Sequence, residues 1–135
     1  MRYTSEDVGL LIKTTQYRHH RGLDASLAAT GISLVQWSAL REIERNPGAS
    51  MHRLAELSFN SDQAFGTLTA RLLRVGLIER FQGPGRVTHH RLTPRGTELL
   101  REGRKRVMKV LVLSFASLDE KERDMLGTLL AKLLT

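Results

Sequence analysis

Leu77-Ile78-Glu79-Arg80-Phe81-Gln82-Gly83-Pro84-Gly85-Arg86-Val87-Thr88-His89-His90-Arg91-Leu92 is the stretch that decides the fold of this chain. Leu77 to Phe81 reads as a strand, Gly83-Pro84-Gly85 as a strong turn, and Val87 to Leu92 as the return strand. The segment therefore predicts a β-hairpin. Gly76 stands just before it and closes a helix whose inward residues are Phe65, Leu68, Leu72 and Val75. Asn60 or Ser61 caps that helix, and Asn60 to Gln63 has the spacing of a capping box. A short helix capped by Ser50 precedes it through Leu54, Ala55 and Leu57. Earlier still, the box Ser33-Leu34-Val35-Gln36 opens a helix carrying Trp37, Leu40 and Ile43 at helical spacing, which Asn46-Pro47-Gly48 ends. The last two of these three helices are joined by a very short turn, which is the helix-turn-helix pattern.

A hairpin directly after the second helix of a helix-turn-helix is a wing. The expected fold class is thus mainly α with a small β-hairpin wing. Arg86, beside two glycines, makes the wing tip a flexible basic finger of a size that enters a minor groove. Further out, Thr4 with Asp7 opens a first helix running to about Ala29, with Val8, Leu11 and Ile12 on its apolar side and Gly31 as its stop. Thr93-Pro94 starts a long fifth helix reaching about Phe115. Its stretch Val107 to Leu113 is apolar nearly all round and asks to be buried on two sides. Ser117-Leu118-Asp119-Glu120 reads as the box opening a sixth helix on Leu126, Leu129, Leu130 and Leu133. The one domain, 1–135, divides into a winged helix-turn-helix at about 33–92 and flanking dimerisation helices at about 5–29 and 94–134, so a homodimer is expected.

Composition narrows the partner. The 135 residues carry 21 Lys+Arg against 14 Asp+Glu, a net charge of +7. Sixteen of the basic residues are Arg, whose planar fork matches phosphate and guanine. Residues 71–106 hold ten basic side chains and three acids, so this third of the chain carries all of the excess charge. Such a footprint points to a polyanion, either nucleic acid or an anionic membrane surface, and the Arg bias favours nucleic acid, with double-stranded DNA the expected partner. The absence of cysteine excludes a disulfide scaffold, a zinc finger and a thiol switch. No apolar run approaches the roughly 18 residues of a membrane span, and the start of the chain turns acidic at once, unlike a signal peptide. The expectation is a cytoplasmic protein that does not bind membranes.

With Phe65, Leu68 and Leu72 inward, the helix before the wing turns Ser61, Asp62, Gln63, Gly66, Thr67, Ala70, Arg71 and Arg74 outward. The N-terminal end of such a helix lies nearest base edges in a major groove. Gln63 is suited to pair with adenine and Arg71 with guanine, while Thr67 suits a base or a thymine methyl. Gly66, a poor helix former, suggests close backbone approach to DNA or to another helix; Arg74 serves either DNA or the helix dipole. Ser50, His52 and Arg53 open the preceding helix and are expected to hold phosphates. His89 and Arg91, on one face of the return strand, also reach toward the backbone.

No metal site is expected. His19-His20 are adjacent on a helix and point about 100° apart, and His89-His90 are adjacent on a strand and point to opposite faces. There is no phosphate-binding glycine loop, nucleophile elbow or H-E-x-x-H, so neither enzyme activity nor a cofactor is expected.

The order of these pieces resembles the MarR family of winged-helix transcription regulators over about Ser5 to Leu134. Carrying the resemblance are Gly31-Ile32-Ser33 leading into Gln36-Trp37-Ser38-Ala39-Leu40, Leu54-Ala55-Glu56, Leu72 through Gly76-Leu77-Ile78-Glu79-Arg80, Arg86, and Leu92-Thr93-Pro94-Arg95-Gly96. The resemblance implies a homodimeric repressor of a pseudo-palindromic operator, often relieved by a small aromatic inducer. It also implies a ligand site near the junction of DNA-binding and dimer parts, where Trp37 is the candidate residue; helical spacing alone reads Trp37 as core. One position departs from the family: an Asp usually stands two residues before the wing Arg, and here that position is Pro84. The alternative reading is a winged-helix protein-interaction module with only weak, non-specific DNA binding.

Overall fold

A computed structural model describes residues 2–135. The elements run α1 (Ser5–Leu27), α2 (Leu34–Arg45), α3 (Met51–Leu57), α4 (Asp62–Arg74), β1 (Ile78–Gln82), β2 (Thr88–Leu92), α5 (Pro94–Ser114) and α6 (Glu120–Leu133). Short 3-10 turns follow α1 at Ala28–Thr30 and form the hairpin tip at Pro84–Arg86. The fold class is the expected one, six helices and one two-stranded antiparallel hairpin.

Local chemistry places most boundaries where the sequence put them. Thr4 and Asp7 exchange both bonds of a capping box, as do Ser33 and Gln36. These side chains satisfy amide donors that the first helical turn leaves free. Gly31 stops the α1 segment at a φ of 86°, and Pro94 sits first in α5 with the Thr93 hydroxyl accepting from the Gly96 amide. Gly22 does not interrupt α1.

Four expectations are corrected. The cap of α4 is Ser61, which accepts from the Ala64 amide, because Asn60 donates its side-chain amide to the Ser58 carbonyl instead. Helix α6 opens two residues later than its sequence suggests: Asp119 and Glu122 form the box, and Ser117 lies in the turn closed by Leu118 N–H to the Phe115 carbonyl. Val75 is not inward but 54% exposed, since it ends α4 just before Gly76 turns the chain at a φ of 74°. The hairpin pairs Ile78 with Leu92 through Gln82 with Thr88, leaving Val87 outside the ladder.

The core lies where α2, α4, β1 and α5 meet. Phe65, Leu72, Leu40 and Leu100 are completely or almost completely buried, together with Leu27 from the end of α1. Helix α5 reaches this core through two glycines. A Cβ on Gly96 would fall on the Leu77 carbonyl oxygen, and one on Gly103 would fall on the Trp37 indole. The glycines let α5 lie directly against the base of the wing and against α2. Trp37 completes that contact by donating its indole N–H to the Leu100 carbonyl at 3.1 Å.

The flanking helices differ from this core in one respect. α1 packs along α5, but α6 packs extensively on no other element among the described residues. Leu11 and Ile12 of α1, Val112 and Leu113 of α5, and Leu129 and Leu133 of α6 all stand exposed.

Candidate nucleic-acid interface

Helix α4 presents the face predicted for it. Phe65 and Leu72 point into the core with Thr69 beside them, whereas Ser61, Asp62, Gln63, Thr67, Arg71 and Arg74 are exposed and Gly66 is half-buried. Thr67 donates its hydroxyl to the Gln63 carbonyl at 3.1 Å, so its methyl is the part left to face outward chemistry. Space is open where a Gly66 side chain would stand. Among the described residues Arg53, Arg71, Arg74 and Arg86 form no salt bridge with a carboxylate. Their charge is therefore available to an outside anion, which is what a phosphate-binding surface requires.

The first turn of α3 is arranged differently from the expectation. Ser50 is the cap of α3 and accepts from the Arg53 amide. His52 has both ring nitrogens engaged: Nδ1 lies 2.9 Å from Asp62 Oδ1 and Nε2 lies 3.4 Å from Glu56. The bond to Asp62, then the charges of Asp62 and Glu56, raise the His52 pKa above its ordinary value. His52 and Asp62 are thus brought together across the helix-turn-helix, and Arg53 is the member of this group left free.

In the wing, Arg86 stands exposed at the tip in the left-handed region, at a φ of 62°. Pro84 begins the turn that puts it there. His89 and Arg91 do share a face of β2, as expected, but both are engaged within the hairpin. The His89 ring lies 5.5 Å from that of Phe81 and covers Gly83, with Nδ1 buried and unpartnered. Arg91 donates to Glu79 at 2.9 Å and lies over the Phe81 ring at 4.9 Å. On the other face His90 is half-buried opposite Arg80, and burial, then the nearby Arg80 charge, lowers its pKa.

Two features stand outside the sequence expectation. Phe59, in the turn between α3 and α4, is 97% exposed at a φ of 59°. The signal was present, because a turn this short needs one left-handed residue, and only Phe59 and Asn60 lie between the Ser58 cap of α3 and the Ser61 cap of α4. The second concerns the apolar pocket. Trp37 is a buried core residue; a cavity of about 600 Å³ lies instead along α1, lined by Leu11, Ile12, His19, Leu34, Phe115 and Leu126. Leu34 sits on the same helix as Trp37, one turn earlier, and reaches the cavity that Trp37 does not.

An exposed polar reading helix, a preceding helix at its flank and an Arg-tipped hairpin define a winged helix-turn-helix protein of the DNA-binding class. Residues 30–86 match the sequence model of the MarR family. No curated protein matches the sequence. Among solved structures, the chain is similar to a mutant of Escherichia coli MarR complexed with operator DNA, at 23% identity and a TM-score of 0.85, covering 95% of this chain and 94% of that one. A MarR family protein of Mycobacterium tuberculosis in complex with p-aminosalicylic acid is 24% identical, with a TM-score of 0.80 and coverage of 94% and 98%. A probable transcriptional regulator from Pseudomonas aeruginosa is 25% identical, with a TM-score of 0.79 and coverage of 93% and 96%. No helix among the described residues is long and apolar enough to cross a membrane.

Proposed function

We propose that the chain is a homodimeric, sequence-specific transcription regulator that represses by occupying a pseudo-palindromic operator. The carrying observation is the exposed face of α4, where Gln63, Thr67 and Arg71 stand free of carboxylate partners beside an Arg-tipped wing. In this reading Gln63, Thr67 and Arg71 meet base edges, with Ser61, Asp62 and Gly66 lining the same approach. Arg53 and Arg74 hold phosphates, and Arg86 enters the adjacent minor groove. Ser50 and His52 order the α3–α4 corner, while His89 and Arg91 stiffen the wing.

The exposed leucines of α1, α5 and α6 support dimerisation by these helices, since apolar surface of this extent on a monomer is unusual. Two reading helices about one helical turn apart, roughly 34 Å, then address both half-sites. The cavity beside α1 has a volume in the range of small-molecule sites. A small aromatic inducer held where the two copies meet relieves repression if it binds more tightly to a spacing that does not fit the operator. The likeness to a relative complexed with p-aminosalicylic acid supports this class of ligand.

Selection from a random DNA pool at two salt concentrations tests the reading, with Arg71→Ala and Arg86→Ala beside the wild type. A two-fold symmetric site, lost with Arg71→Ala and weakened with Arg86→Ala, is the expected result. Sequence-blind binding indifferent to both substitutions would overturn it and favour a protein partner.

A further inference from the structure

The DNA-facing corner of the molecule contains an acid–base cluster that a phosphate-binding surface does not need. Asp62 is the first residue of α4 and Glu56 lies in the last turn of α3, so two carboxylates stand exposed at the end of the reading helix. Both face the same polyanion and repel it. His52 lies between them, 2.9 Å from Asp62 through Nδ1 and 3.4 Å from Glu56 through Nε2. One neutral imidazole cannot serve as donor to both carboxylates, because only one of its nitrogens carries hydrogen. The imidazolium is attracted to both: Nδ1 is hydrogen-bonded to Asp62 and Nε2 lies at ion-pair distance from Glu56. The arrangement suits a protonated His52.

We propose that His52 is a proton-controlled positioning residue for DNA binding: its imidazolium holds the first turns of α3 and α4 together and offsets the carboxylates there, so that operator affinity falls as His52 loses its proton. The proposal rests on the DNA-binding reading given above. With His52 charged, the three side chains carry a net charge of −1; with His52 neutral they carry −2. Asp62 on α4 and Glu56 on its own helix are the charged groups that act on the ring. Both favour the protonated form, which places the transition above the ordinary histidine value. Phosphates approaching this corner favour the proton further, so DNA binding takes up protons and weakens with alkalinity.

The test is a titration of the selected operator by fluorescence anisotropy between about pH 6 and 8.5 at fixed ionic strength, a range that brackets histidine titration. Wild type is compared with His52→Gln and Asp62→Asn, and the His52 ring resonances are followed by NMR in the absence of DNA. Wild-type affinity is expected to fall roughly three- to tenfold across the range, the factor by which bound DNA tightens the ring's hold on its proton. His52→Gln abolishes the fall, and Asp62→Asn moves the midpoint of both affinity and ring titration to lower pH. A His52→Gln variant with the wild-type pH profile would overturn the proposal while leaving the DNA reading intact. A wild type that selects no site at any pH overturns both, and the ring titration then still reports whether the three side chains are paired.

Discussion

The Trp37 indole donates to the Leu100 carbonyl at 3.1 Å while lying against the α-carbon of Gly103, one turn along α5. This contact joins the helix that supports the reading unit to the helix that carries the exposed dimer-type face. Gly103→Ala tests how tight the joint is. In an exposed helix the change would stabilise by about 1 kcal/mol, but here the new methyl meets the indole. A net loss of about 1–3 kcal/mol is expected from overpacking, read as a lowered denaturant midpoint.

Gly66→Ala should separate stability from binding. Nothing stands within 4 Å of the added methyl, so the helix-propensity gain of roughly 0.5–1 kcal/mol is expected in full. The same methyl projects from the half-buried edge of the reading face. Thermal unfolding should rise while operator affinity falls. Unchanged affinity would remove Gly66 from the interface.

Phe59 combines a left-handed backbone with a ring left almost wholly in water. A bulky residue at this φ is disfavoured, and glycine is not. Phe59→Gly is therefore expected to stabilise the chain by about 1 kcal/mol, despite removing a large side chain. Loss of stability in a denaturant titration would mean instead that contacts of the ring in the folded protein outweigh the backbone cost.

The fold was legible because local and long-range signals agree. Thr4, Ser33 and Thr93 cap helices whose apolar stripes face the core, and Gly83-Pro84-Gly85 turns between two strands. Two of the four errors fall where two capping residues compete within three positions, at Asn60/Ser61 and Ser117/Asp119; the other two, Val75 and Val87, lie at element ends beside a turn. At the competing caps the outcome depends on which side chain finds another partner, and Asn60 finds Ser58. The reading face of α4 followed from helical period alone. The His52–Asp62 pair did not, because its two residues stand ten apart on different helices. Helical spacing read Trp37 as core, as found, but it says nothing of which neighbour lines a cavity.

Two histidines should move stability in opposite directions with pH. His90, half-buried beside Arg80, has a folded pKa below its ordinary value of 6.5. The unfolded chain takes up that proton first, so the stability present above 6.5 is lost as pH falls through the folded value. His52 has a folded value above 6.5; its contribution is full below 6.5 and fades as pH rises through the folded value. His90→Gln should flatten the acid limb of a stability–pH curve, and His52→Gln the neutral-to-alkaline limb. Identical curves for all three proteins would show that neither group is coupled to folding.

Helix α6 gives the most direct test of the proposed dimer. Its capping box of Asp119 and Glu122 stabilises the first turn locally, yet Leu129 and Leu133 face water and the helix packs extensively on no other element among the described residues. Each leucine that a second copy covers contributes about 1.5–3 kcal/mol, whereas a carboxylate in its place must be desolvated without a partner. The double variant Leu129→Glu/Leu133→Glu should sediment as a monomer where the wild type sediments as a dimer. Each monomer keeps its reading helix and wing, so half-site contacts survive. What disappears is the second binding event made intramolecular by the first, a loss of about 10²–10⁴-fold in operator affinity. A variant that still sediments with the wild type would place the subunit contact elsewhere, and a monomeric wild type would remove the two-fold operator with it.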